Sequence, residues 1–168
     1  MSFLRQLSAG SRAVTFRPEL PADREFLYRV YASTRAEELE PTGWTPEQKE
    51  QFLRAQFQAQ DAFYRQNYDG YEFLVVVVDG ADAGRLYLHD RKASIGVMDI
   101  ALLPPFRRFG VGGAIMQSII NEAGLRRATV TIHVENFNPA MRLYLRLGFV
   151  QVSADQIYTR MDWRPPAG

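Results

Sequence analysis

The sequence predicts a single α+β domain built on a mixed, mostly antiparallel sheet flanked by helices. Three observations carry this. The chain has 168 residues, which suits one domain. With 46% hydrophobic and 12% aromatic residues it can bury a substantial core. Its apolar pattern is helical up to about Tyr68, turns strand-like at Tyr71, and then alternates between the two.

Residues 1–12 read as a loose polar lead-in, 13–164 as the folded domain and 165–168 as a tail. Ala13 to Phe16 is a first strand, stopped by Arg17-Pro18. Asp23 stands where it can cap a helix that carries Phe26, Leu27, Val30 and Tyr31 on one side. That helix runs to about Leu39 and breaks at Pro41-Thr42-Gly43. Thr45-Pro46-Glu47-Gln48 is a capping box with proline at the first helical position. The helix it opens carries a stripe of Phe52, Phe57, Phe63 and Tyr64, and Asp69-Gly70 ends it. Tyr71 to Val78 is β-branched and apolar on both faces, as in a central strand. Asp79-Gly80 turns the chain into a strand around Arg85 to Leu88, and another follows from Ser94 to Leu102, completing an antiparallel meander. Pro104-Pro105 ends it. After Gly110-Val111-Gly112-Gly113 comes a helix with Val111, Ile115 and Ile119 on one face, closed by Gly124. Thr129 to Glu135 alternates: Val130, Ile132 and Val134 face one way, Thr131, His133 and Glu135 the other. Pro139 to Leu147 is a short helix capped by Asn138 and ended by Gly148; Phe149 to Val152 and Ile157 to Met161 form a last hairpin. The predicted order is β-α-α-β-β-β-α-β-α-β-β.

Composition removes several functions. The 20 Lys+Arg and 19 Asp+Glu leave a net charge of +1, so bulk charge calls for neither nucleic acid nor membrane as a partner. Without cysteine there is no disulfide, thiolate metal site or cysteine nucleophile. With two histidines, His89 and His133, a three-histidine zinc site is impossible, and no metal is expected. The longest apolar run, Phe73 to Val78, is far short of the ~20 residues that span a bilayer. The first twelve residues contain no signal-like apolar stretch, so the expectation is a soluble cytoplasmic protein.

The stretch from Asp99 to Gly113 concentrates the chemistry: a strand ends, a loop with Arg107, Arg108 and closely spaced glycines follows, and a helix starts. Glycines allow a backbone to approach a ligand, and free amides at a helix start bind anions such as pyrophosphate. The two arginines add charge-assisted donors. A Walker loop is absent, and Gly110-Val111-Gly112 lacks the third glycine of a dinucleotide fingerprint because position 115 is Ile. Read alone, the loop is equally a plain tight connection.

Two motifs decide otherwise. Arg107-Arg108-Phe109-Gly110-Val111-Gly112 resembles the Q/R-x-x-G-x-G/A loop of the GNAT superfamily of acyl-CoA N-acyltransferases. Asn138 followed by Leu143-Tyr144-Leu145-Arg146-Leu147-Gly148-Phe149 resembles that family's second signature. The resemblance implies a fold whose fourth and fifth strands, here Ser94 to Leu102 and Thr129 to Glu135, splay apart to hold acetyl-CoA. It implies pantetheine pairing with the backbone of Ile100, Ala101 and Leu102. Pyrophosphate would sit on the loop amides of Arg107, Arg108, Phe109, Gly110, Val111 and Gly112, with Gly113 starting the helix. Asn138 matches a position that contacts the cofactor, six residues before Tyr144 where many relatives have seven. Arg108 stands where a glycine is frequent.

Acetyl transfer from a thioester to an amine requires the amine to lose a proton, the oxyanion to be stabilised and the thiolate to be protonated. Deprotonating a lysine-like amine at pH 7 costs about 4–5 kcal/mol, which a base in contact partly offsets. Tyr144 matches the family tyrosine beside the sulfur and is the candidate general acid; as a residue alone, with Met141, Leu143 and Leu147 around it at helical spacing, it reads more readily as core. His133, on the polar face of its strand, is the candidate base, with Glu135 as a substitute on the same face. Asp99 is a third candidate, as base or as anchor for a cationic amine, unless an arginine pairs with it. His89, beside Asp90-Arg91-Lys92, reads as a turn residue without a role. The first two helices wall the acceptor pocket in this fold and offer Tyr28, Tyr31, Arg35, Glu38, Trp44 and Phe57, of which Tyr31 and Arg35 are the candidates. The implied function is acetyl transfer from acetyl-CoA to a primary amine, small molecule or peptide, by direct attack in a ternary complex. The alternatives are a non-catalytic acyl-CoA-binding or regulatory domain, and a generic binder of phosphate ligands. Homodimers are common among such proteins.

Overall fold

Apolar residues on both faces of the central strands require helices on both sides, and the computed structural model, which describes residues 2–168, has this arrangement. Its elements are β1 (Leu7–Ala9), β2 (Arg12–Pro18), α1 (Arg24–Leu39), α2 (Pro46–Asn67), β3 (Glu72–Val78), β4 (Ala81–Asp90), β5 (Ser94–Leu102), α3 (Val111–Arg126), β6 (Thr129–Glu135), α4 (Met141–Arg146), β7 (Val150–Ala154) and β8 (Tyr158–Trp163). One eight-stranded sheet runs β1-β2-β3-β4-β5-β6-β8-β7, antiparallel except where β5 meets β6. Leu74, Val76 and Val78 of β3 join the core under α3, while Val75 joins the core under α1 and α2. Alternation along one strand therefore serves two cores. No helix among the described residues is long and apolar enough to cross a membrane.

Several expectations are corrected. The lead-in contains β1, which turns at Gly10 (φ 60°) and pairs with β2 through Leu7↔Val14, while Leu4 and Ala9 are buried. Three residues are too few to show a period, so only their pairing reveals the strand. β4 extends well beyond Arg85–Leu88 at both ends. The buried face of α2 is Leu53 and Phe57, at i, i+4 spacing; Phe52 and Phe63 are 37% and 52% exposed. The helix α3 continues through Gly124 to Arg126 and is capped by Arg127 in the left-handed region (φ 56°). Gly124 is helical, and an added Cβ would lie 3.7 Å from the Trp163 indole, in ordinary contact. The Thr45 capping box forms as expected, with Gln48 N donating to Thr45 Oγ1 (3.2 Å) and Thr45 N to Gln48 Oε1 (2.9 Å).

Asp23 precedes α1 but does not cap it. Its carboxylate accepts both Arg17 guanidinium nitrogens at 2.8 Å and the Leu20 amide at 2.7 Å, tying the end of β2 to the start of α1. The Arg17 hydrogen bonds, opposed by burial and helped by the Leu20 amide, hold the Asp23 carboxyl below its ordinary value. Asp23→Ala is expected to cost about 2–3 kcal/mol, because it removes the fork onto Arg17 and the Leu20 amide's acceptor and leaves Arg17 with Asp82 as its remaining carboxylate. A folded pKa below the unfolded one contributes stability that is present above about pH 4 and lost as pH falls through the folded value. Urea denaturation of wild type and variant should therefore converge in acid; a gap that stays constant down to pH 2 contradicts this.

The feature that positions the site is a split in the sheet. β5 pairs with β6 only from Ser94↔Thr129 to Val97↔Ile132; beyond that, β5 follows β4 and β6 follows β8. At the split, Met98 is a bulge: Tyr87 pairs with Asp99 and the adjacent Leu88 with Val97. One extra residue inverts the alternation. Val97 lies in the α3 core, yet after the bulge Ile100 and Leu102 pack there too, while Ala101 packs on the α1/α2 side.

Candidate active site

The split leaves a cleft of about 170 Å³ between β5 and β6. Asp99, Ile100 and Ala101 line one wall and His133 and Glu135 the other; Tyr31 and Arg35 of α1, Tyr144 of α4 and Asn138 complete it. The split thus brings together all three catalytic candidates, both pocket candidates and part of the cofactor set. Tyr28, Trp44 and Phe57 do not line it, and Tyr28 and Phe57 instead pack edge-on at 5.8 Å in the α1/α2 core. The Tyr31 hydroxyl donates to Gln56 Oε1 (3.1 Å), so its ring rather than its hydroxyl serves the cleft.

Both carboxylates in the cleft are engaged. Arg35 forks onto Glu135, with Nη1 to Oε2 at 3.0 Å and Nη2 to Oε1 at 2.6 Å, spanning α1 to β6. Asp99 Oδ2 accepts from Arg85 Nη2 at 2.6 Å. Arg85 is 3% exposed, also reaches Gln60 Oε1 (3.2 Å), and its Nε has no hydrogen-bond partner among the described residues. The His133 ring makes no hydrogen bond among the described residues and is exposed to the cleft. Tyr144 is buried, packs edge-on to Phe149 at 5.8 Å, and its hydroxyl also has no hydrogen-bond partner among the described residues. Burial, then the Asp99 charge, pushes the Tyr144 phenol up to about 12, so it keeps its proton at neutral pH.

At the end of β5 the loop is shaped for an anion. Arg108 (φ 67°) and Gly110 (φ 78°) are both left-handed, and Ala114 N makes the first intrahelical bond, to Gly110 O at 2.9 Å. The amides of Val111, Gly112 and Gly113 therefore have no intrahelical acceptor. A Cβ on Gly112 would meet nothing within 4 Å, and one on Gly113 would lie 3.6 Å from Leu143 Cδ1 of α4, in ordinary contact. The Val111 side chain is buried under the helix. The Arg107 side chain is exposed but committed: its Nε donates to Leu102 O (2.8 Å) and its Nη2 to Ser33 Oγ (3.1 Å), latching the loop to β5 and α1. Phe109 turns away under the Arg12 guanidinium, 3.9 Å from its ring centroid. Asn138 Oδ1 accepts from Ala140 N (2.9 Å), shaping the turn before α4. Arg108 is also exposed, and its guanidinium makes no hydrogen bond among the described residues.

A family model described as the acetyltransferase (GNAT) domain matches residues 69–151. That match runs from just before β3 to β7 and takes in both splayed strands and the glycine-rich loop. The PaiA N-acetyltransferase from Thermoplasma acidophilum, solved in complex with coenzyme A, is similar in fold at a TM-score of 0.64 and 16% identity, covering 90% of this chain and 98% of that one. The ribosomal-protein-S18-alanine N-acetyltransferase from Escherichia coli is similar at 0.61 and 18% identity, covering 92% and 96%. An acetyltransferase from Thermus thermophilus is similar at 0.62 and 17% identity, covering 90% and 96%. No curated protein matches the chain in sequence.

In this GNAT fold the strands expected as fourth and fifth are β5 and β6, since β1 adds one to the count, and they splay as the resemblance implies. Sequence reasoning missed Arg85. The signal was present: an arginine between Gly84 and Leu86 in an apolar strand is as unusual as Asp99, and the two explain each other. Tyr64 of α2, which also lines the cleft, was read only as part of an apolar stripe.

Proposed function

We propose that this protein transfers an acetyl group from acetyl-CoA to a primary amine by direct attack within a ternary complex. The observation that carries the reading is the state of the cleft: its two carboxylates are held by guanidinium groups, whereas the His133 ring and the Tyr144 hydroxyl, like the hydroxyls of Tyr64 and Tyr158, make no hydrogen bond among the described residues. The chain's residues fit the co-substrate. Past Val97 the β5 edge has no strand partner, the α3 amides are free, and the space above Gly112 is open.

Bound acetyl-CoA supplies the acyl group as a thioester. Residues Met98 to Ala101 offer it a strand edge, while the amides of Val111 to Gly113 and the Arg108 side chain hold its phosphates. His133 takes the proton of the incoming amine, directly or through water, as the nitrogen bonds to the acyl carbon. Tyr144 donates its proton to the sulfur as the carbon–sulfur bond breaks. Asp99 is the poorer base, because taking a proton would break its pairing with buried Arg85. Glu135 is limited likewise by Arg35. The names of the similar N-acetyltransferases agree with an amine acceptor.

Thiol release from acetyl-CoA with a panel of amines tests the reading. His133→Ala is expected to lower kcat about tenfold or more, with CoA affinity by calorimetry retained. Failure to bind CoA at millimolar concentration overturns the proposal; CoA binding without turnover of any amine leaves only the non-catalytic reading.

A further inference from the structure

The cleft continues into a larger trough of about 750 Å³ on the same sheet face, and His133 lines both. In register, His133 pairs with Arg160; two residues back along β6 the row is Gly96, Thr131 and Asp162, and two further back it is Ser94 and Thr129. The floor is open because Gly96 has no side chain: a Cβ there would meet nothing nearer than the His89 carbonyl at 4.0 Å. Tyr64 and Tyr68, whose rings meet at 5.7 Å, wall one side. The Arg35–Glu135 fork stands across the α1 side of the cleft, so the trough is the open approach to His133.

The trough is cationic. Arg91, Arg160 and Arg164 line it against one acid, Asp162. That carboxylate is already committed to Arg160 (3.2 Å), to the Thr131 hydroxyl (2.9 Å) and, more distantly, to Arg164 (3.8 Å). Arg91 has no carboxylate partner among the described residues, and its Nε donates to His89 Nδ1 at 3.0 Å. With Nδ1 accepting, the neutral His89 ring carries its proton on Nε2 and is a donor as well. Far from His133, the trough therefore offers mostly donors and net positive charge.

Resting on the acyl-transfer reading, we infer that this trough is the acceptor subsite and that it selects an elongated amine carrying an anionic group at its far end. The strand rows set the span: two to four residues of strand separate His133 from the cationic end, about 7–13 Å. An apolar or aromatic body lies along Tyr64 and Tyr68 between the two. Polycationic amines are disfavoured by the same charges.

The test compares 8-aminooctanoate, octylamine and 1,8-diaminooctane, which share a chain and carry a negative, neutral or positive far end. Each is measured for acetyl transfer and, separately, for binding to the CoA-loaded and CoA-free protein by calorimetry. The expected order of kcat/KM and of affinity is aminooctanoate, octylamine, diamine, with about tenfold or more between first and last. Arg91→Gln combined with Arg164→Gln should collapse that ratio, and Gly96→Leu should block aminooctanoate binding while CoA still binds. Equal or reversed preference, or a preference untouched by the arginine substitutions, overturns the inference even if acetyl transfer is robust. Arginine-dependent binding of aminooctanoate without any transfer would sustain the subsite and instead overturn the activity.

Discussion

Tyr144→Phe is expected to lower kcat about a hundredfold or more while leaving CoA affinity and thermal stability close to wild type. The separation follows from the surroundings of the residue. Its ring packs against Phe149, and phenylalanine keeps that contact. Its hydroxyl bonds to no other described group, so removing it strands no buried donor or acceptor. What is lost is the proton for the departing sulfur. Because burial and Asp99 push the phenol up to about 12, deprotonation of Tyr144 should set no alkaline limb below about pH 11 in the kcat profile. Steady-state kinetics with calorimetry on the same samples decides the matter: a variant with full kcat removes Tyr144 from the mechanism.

The second large effect is expected at a residue that touches no ligand. A Cβ on Gly84 would lie 2.1 Å from the Ala101 carbonyl oxygen and 2.9 Å from Leu102 Cδ2. The first of these is backbone, so no rotamer change relieves it. It also lies where β5 has parted from β6 and is held within the sheet by β4 alone. Gly84→Ala should therefore destabilise the fold by about 3 kcal/mol, lowering Tm by about 10 °C, and deform the cleft wall. Thermal melting and CoA titration should both register the change; a variant that melts and binds like wild type would show that β5 yields freely here.

Much of the fold is legible because its signals are local. Ser94–Leu102 and Thr129–Glu135 are read with their observed bounds, since turn residues flank both and the second alternates cleanly. The Thr45 capping box is read because its partners are three residues apart. On α2, however, aromatic content suggests Phe52 and Phe63 as core, whereas i, i+4 geometry selects Leu53 and Phe57. The Arg107 side chain shows a different limit. Its loop position suggests a phosphate contact, but Ser33, to which it latches, is 74 residues away. Asp99 reaches the cleft only through the Met98 bulge, which strict alternation does not foresee.

The amino-acid order alone determined the element types from β2 onward, the glycine-rich start of α3 and the outward parity of His133, because each depends on residues within a few positions. Tertiary structure alone decided which acids are free. Asp99 is engaged by Arg85 across 14 residues of chain and Glu135 by Arg35 across 100; the first pairing follows from the Met98 bulge between β4 and β5, and the second spans α1 to β6. An ion pair closed over such separations leaves no period in the sequence, yet it decides which side chain in the cleft can move a proton.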